Sequence, residues 1–130
     1  MDRRGIMVRL AEGNITFPNR SEAIESLPWN EHPRFKGVFL KHLIRGADTE
    51  GKLSCHIVRI DPCCVLEEHV HENQWELHEV MEGEGVLLAY NCETSYYPGQ
   101  MAMMPKGTAH KVAAGEGGLV MLAKFFPALL

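Results

Sequence analysis

Nowhere does this chain gather lysine and arginine: 13 basic side chains stand against 17 acidic ones in 130 residues, for a formal net charge of −4. Binding to nucleic-acid phosphates needs a clustered positive face, so that class of partner is excluded. Long apolar runs are missing too. The most hydrophobic stretch, residues 119–130, carries Lys124 and Pro127, whereas a membrane-spanning helix needs about 20 apolar residues. The opening Met1-Asp2-Arg3-Arg4-Gly5 leads into no apolar segment of leader length, which points to a cytoplasmic home. No C-x-x-C pair occurs among Cys55, Cys63, Cys64 and Cys92, and adjacent cysteines do not readily bridge, so buried, inert thiols are expected.

What is present is one domain's worth of chain. At this length folding buries roughly two thirds of the unfolded surface, enough for one core without disulfide staples. From Gly37 onward, short apolar runs alternate with Gly, Pro, Asn and Asp, the pattern of many strands joined by turns. The runs predict strands over 38–45, 52–60, 65–71, 76–82, 86–90, 96–105, 111–114 and 119–126, hence an all-β sandwich or barrel. Residues 1–36 read differently, as an N-terminal extension with an edge strand around 5–10. A single helical turn is expected over 22–25, opened by Ser21 and stopped by Pro28. Met81, Met101, Met103, Met104 and Met121 are expected to fill core gaps. Trp75 should point outward, as an interface or outer-face anchor.

The informative segment runs from Cys63 to Gly83. His69 and His71 stand two apart, so a strand puts both imidazoles on one face, within reach of a shared metal ion. A polar run then lets the chain turn before Glu76 opens the next strand. A fourth candidate, His110, follows the tight turn Pro105-Lys106-Gly107. Three imidazoles and a carboxylate suit a divalent Fe, Mn, Ni, Co, Cu or Zn ion better than Ca or Mg, which prefer all-oxygen shells. A six-coordinate ion held by four protein ligands keeps about two positions open for water, substrate or dioxygen.

These residues fall on a known pattern, and the chain resembles the cupin superfamily, in its small single-domain form. That family's first motif, G-x5-H-x-H-x(3,4)-E-x6-G, is met by His69, His71, Glu76 and Gly83. Its second, G-x5-P-x-G-x2-H-x3-N, is met by Gly99, Pro105, Gly107 and His110. Cys63 stands where the family usually has Gly, and Ala114 where it usually has Asn; neither is a ligand position. The resemblance implies a double-stranded β-helix (jelly-roll) barrel over 37–130, with His69, His71, Glu76 and His110 as metal ligands inside it. It also implies a homodimer, whose partner would cover an exposed edge strand.

Fold alone does not name a reaction, since this family spans dioxygenases, isomerases, lyases, storage proteins and sugar-binding regulators. His78, two residues beyond Glu76, is the candidate catalytic residue, as a general acid/base or as a donor behind the ligands. His42 and His56 are assigned core or surface roles. Cupin thiol dioxygenases use three His without the Glu, so Glu76 argues against that branch. The expectation is a small metal-dependent enzyme, of dioxygenase or isomerase/lyase type, acting on an oxygen-bearing small organic molecule. The alternative is a non-catalytic small-molecule binding or sensing module. Regulators of that kind join the barrel to a DNA-reading domain, for which 130 residues leave no room.

Overall fold

The computed structural model describes residues 5–130, and antiparallel strands make up most of it. A short helix α1 (Ile6–Ala11) precedes the hairpin β1 (Asn14–Phe17) and β2 (Arg20–Ala23), a 3-10 turn Ile24–Ser26 and the two-residue β3 (Asn30–Glu31). Then come β4 (Val38–Ile44), β5 (Ser54–Ile60), β6 (Val65–His69), β7 (Trp75–Ala89), β8 (Cys92–Tyr96), β9 (Met101–Met104) and β10 (His110–Phe126). Among these described residues no helix is long and apolar enough to cross a membrane.

Two long strands organise everything else. The C-terminal half of β10 lies between β5 and the start of β7, and that start also pairs with β9. The N-terminal half of β10 lies between β6 and the end of β7, and that end also pairs with β8. Both long strands therefore pass from one sheet into the other, which makes the two sheets one rolled barrel of the cupin jelly-roll type.

They bend where glycine permits. Gly83 has a φ of 82°, and a Cβ there would stand 2.1 Å from the carbonyl oxygen of Gly118. A side chain at Gly83 would prise the pair apart. The expected breaks at 83–85 and 115–118 are thus bends inside continuous strands. In the other direction, the expected strand 96–105 holds only β9, after the last residue of β8 and a loop, and residues 92–95, outside every expected strand, belong to β8.

Alternation along the strands builds two cores. Val58, Ile60, Leu119, Met121, Ala123 and Phe125 face the barrel interior, with Val80, Leu87, Tyr96, Met104 and Val112 from β7, β8, β9 and β10. Met121 is fully buried, a burial that stabilises the fold by about 1.5–3 kcal/mol. Met101 and Met103 instead point outward and are exposed, so only part of the methionine set is core.

The second core lies on the outside of the sheet. Cys55 and Ile57 of β5 and Leu43 of β4 pack with Ile24, and Leu27 and Trp29 join them from the N-terminal segment. Lys41 donates to the carbonyl of Ile24 at 3.0 Å, and Arg59 lies over the Trp29 ring. Burial there pushes the Cys55 thiol up to about 11, which leaves it protonated and inert.

The extension is therefore a cover for the sheet, and its local structure departs from expectation. Residues 6–11 form helix α1 where an edge strand was expected. The apolar run is short enough to suit either form, and tertiary context decides. The expected helical turn at 22–25 is displaced to Ile24–Ser26, because residues 20–23 pair with β1. Within the extension, the strand that lies at the edge of the large sheet is β3, on β4.

Candidate metal centre

Register brings the four expected ligands together. His69, the last residue of β6, stands directly opposite His110, the first of β10, so their side chains share a face. His71 follows on the link to β7, where its carbonyl accepts the Gly107 amide at 2.9 Å and ties that link to the turn before His110. Glu76 enters from the start of β7, opposite Phe125 of β10. One ligand atom from each of His69, His71, Glu76 and His110 falls within 4.8 Å of the other three.

The imidazoles are oriented from behind. His69 Nδ1 lies 2.8 Å from the carbonyl of Glu67, and His110 Nδ1 lies 2.9 Å from that of Thr108. A carbonyl only accepts, so each Nδ1 carries a proton, and in the neutral ring Nε2 presents a lone pair. Burial pushes His69 down to about 4, with the Glu67 carbonyl opposing. Burial lowers His71 as well, against the pull of Glu76. Both rings are neutral at pH 7, the state a metal ligand requires.

Glu76 has a side chain that is 4% exposed. Burial alone pushes its carboxyl up, but His78 and His110 outweigh burial and hold it well below the usual carboxylate range. Burial pulls His110 down, and its contacts with Glu76 more than offset that, leaving the ring above its ordinary value.

The residues fit a metal on one observation above all. Glu76 Oε1 and His110 Nε2 are both buried and lack an aligned hydrogen-bond partner, yet they face each other at 2.9 Å. His71 Nε2, at 3.6 Å from the same carboxylate oxygen, completes that side. Buried polar atoms left unpaired are costly, and a cation between them removes the cost.

His78 occupies a different place from the four candidate ligands. It is fully buried, its Nε2 lies 2.8 Å from Glu76 Oε2, and its Nδ1 lies 2.8 Å from the Tyr96 hydroxyl. A carboxylate only accepts, so Nε2 donates. In the neutral ring Nδ1 then accepts from Tyr96, whose phenol burial keeps protonated by raising it far above its ordinary value. Tyr96 thus steadies His78, and His78 steadies Glu76. Sequence reasoning missed Tyr96, since nothing in its spacing marks a residue of β8 as a partner of β7's second inward side chain.

Beside the centre lies a small cavity of about 70 Å³, lined by His69, His71 and Glu76 at its polar side. Val38, Leu40, Val58, Leu66, Ala123, Phe125 and Leu129 form its apolar wall, and His32 borders it from the N-terminal extension. His78 is not among its lining residues. His42 and His56 stay apart from the centre as a pair with Nδ1 atoms 2.8 Å from each other. Trp75, at 40% exposure, projects outward.

No family model matches the chain, and no curated protein matches it in sequence. Solved structures do. A predicted oxalate decarboxylase from Thermotoga maritima superposes with a TM-score of 0.74 at 19% identity, over 80% of this chain and 96% of that one. An RmlC-like cupin from Shewanella frigidimarina NCIMB 400 gives 0.69 at 18% identity, over 81% and 87%. Ectoine synthase from P. lautus gives 0.65 at 22% identity, over 72% and 67%. The fold expected from the two motifs is the fold observed, that of the cupins.

Proposed function

We propose that this cupin-fold chain is a metal-dependent enzyme acting on a small oxygen-bearing organic molecule, by dioxygenase or isomerase/lyase chemistry. The observation that carries the reading is the buried pair Glu76 Oε1 and His110 Nε2, 2.9 Å apart without an aligned hydrogen bond and set among four convergent donors. His69, His71, Glu76 and His110 would hold one divalent transition ion. When bound, such an ion polarises a carbonyl, stabilises an enolate or activates dioxygen.

The chain's own residues do the rest. The carbonyls of Glu67 and Thr108 hold two imidazoles in the Nε2-accepting form. The apolar wall keeps water low around the reacting group, which strengthens every charge interaction there. His78, with no face on the cavity, acts as a positioning residue: it holds Oε2 of Glu76 so that Oε1 is the oxygen presented inward. The sequence expectation offered it either that role or direct proton transfer, and the geometry favours the former. Exposed Trp75, Met101 and Met103 support a homodimer, in which a partner would cover apolar side chains now in water.

Among the neighbours, the predicted oxalate decarboxylase and ectoine synthase are enzymes by name, which agrees with a catalytic use of this barrel. The test is reconstitution of purified protein with single transition metals, followed by turnover assays on small keto, hydroxy and carboxylic compounds. Metal-dependent consumption of one of them is the expected result. Ligand-induced stabilisation with no consumption would instead support the sensing alternative.

A further inference from the structure

His32 belongs to the extension, outside both sequence motifs, yet it borders the same cavity as the ligand set. Its place is fixed. The His32 amide donates to the Val38 carbonyl at 2.7 Å, and its ring stacks on Phe35 with centroids 4.5 Å apart. Its Nδ1 accepts two backbone amides of its own loop, from Arg34 at 3.1 Å and from Phe35 at 3.3 Å. An Nδ1 that accepts twice carries no proton, so the ring's hydrogen is on Nε2. Burial, then Arg34, lowers the pKa of His32 and keeps this neutral form at pH 7. With the Nδ1 edge committed to the loop, the Nε2 edge is the one left to donate, on a residue that borders the cavity.

We propose that His32 recognises the substrate, its Nε2–H donating to an oxygen of a small monocarboxylate bound at the metal centre. This rests on reading His69, His71, Glu76 and His110 as that centre. Charge selects the ligand class: a divalent ion with three neutral imidazoles and one carboxylate leaves a net +1 in a buried site, which one monoanion compensates. Size selects it further, because a cavity of about 70 Å³ has room for only a handful of water-sized bodies. The wall of Val38, Leu40, Leu66 and Phe125 suits a short hydrocarbon body. Unlike the ligands, His32 offers a donor and no lone pair.

The two halves of the imidazole can be separated by substitution. His32→Asn keeps an acceptor near the Nδ1 position for the loop amides and removes the Nε2 donor. His32→Gln keeps a donor near Nε2 and removes the loop acceptor. Full-length protein loaded with cobalt(II) is titrated with acetate, reading the visible spectrum, with cobalt stoichiometry and melting temperature measured alongside. The expected result is acetate binding by the wild type, binding about tenfold or more weaker in His32→Asn at unchanged cobalt content and melting temperature, and near wild-type affinity in His32→Gln.

Wild-type affinity in His32→Asn overturns the proposal, as does a His32→Gln as weak as His32→Asn, or a cobalt-loaded wild type indifferent to acetate. Loss of cobalt or of melting temperature in His32→Asn assigns the residue a structural role and also overturns it. Wild-type protein that takes up no cobalt overturns the metal reading itself, an outcome distinct from the others.

Discussion

Phe125 has imidazoles on both sides. The His71 ring lies 4.9 Å from it and the His56 ring 5.6 Å, and the two clusters they belong to are built to opposite ends. Around His71, the Nδ1 atoms of His69 and His110 are committed to carbonyls, and the Nε2 atoms converge on one carboxylate. Around His56, Nδ1 meets His42 Nδ1 at 2.8 Å and Nε2 meets Ser54 Oγ at 2.9 Å, while Ser54 Oγ also accepts the Leu129 amide. Every polar atom of His56 is spent within the protein. The proposed metal centre thus differs from the histidine pair in having lone pairs left over, aimed together, with a negative charge among them.

That contrast breaks first at Glu76. Glu76→Ala removes the only carboxylate of the four donors and is expected to weaken transition-metal binding more than about 100-fold, beyond what loss of a supporting residue does. Isothermal titration with cobalt(II) measures it, and an affinity within a few-fold of wild type would dissolve the distinction between the clusters. His78→Phe comes next. It deletes the donor to Oε2 and should lower metal affinity about 10–100-fold, with partial recovery in His78→Gln, which restores an N–H near the Nε2 position.

Tyr96→Phe acts one step further out. Losing its hydroxyl is expected to cost about 1 kcal/mol of stability in urea melts and only a few-fold in metal affinity.

The His42–His56 pair supplies the converse test. Burial, then His42, pushes His56 down to about 4, below its ordinary value of 6.5. Between those values the unfolded chain takes up a proton that the folded chain does not. Stability is therefore lost as pH falls from about 6.5 to about 4, by on the order of 3 kcal/mol from this residue. His56→Gln should flatten that part of the pH dependence relative to wild type in metal-free urea melts, and leave metal affinity at pH 7 unchanged. A fall in metal affinity to match that of Glu76→Ala would join the two clusters into one site.

How much of this the chain displays in one dimension follows the range of the contacts. His69, His71 and Glu76 sit within one hairpin, and His110 follows a turn that Pro105 and Gly107 announce; spacing sufficed to group them. Most strands from Val38 onward were legible as apolar runs between turn residues, whereas the largely polar β8 was not. The breaks within β7 and β10 were not, because Gly83 and Gly118 serve as points of close backbone approach, and glycine for approach and glycine for a turn look alike in sequence. Residues 6–11 became helix rather than strand for a similar reason, since a short apolar run carries no decisive period.

Tyr96 and His32 were illegible for another reason. Each reaches the site across the fold, from β8 and from the sheet-covering extension, and neither stands at a spacing that links it to the ligands.

Elemental analysis of protein purified without added metal decides whether His69, His71, Glu76 and His110 form a metal centre. Wild type should carry one transition-metal ion per chain, and His69→Ala, folded by circular dichroism, should carry little or none. Wild-type protein that is free of transition metal and binds none on titration, or a His69→Ala variant equally loaded, would contradict the account.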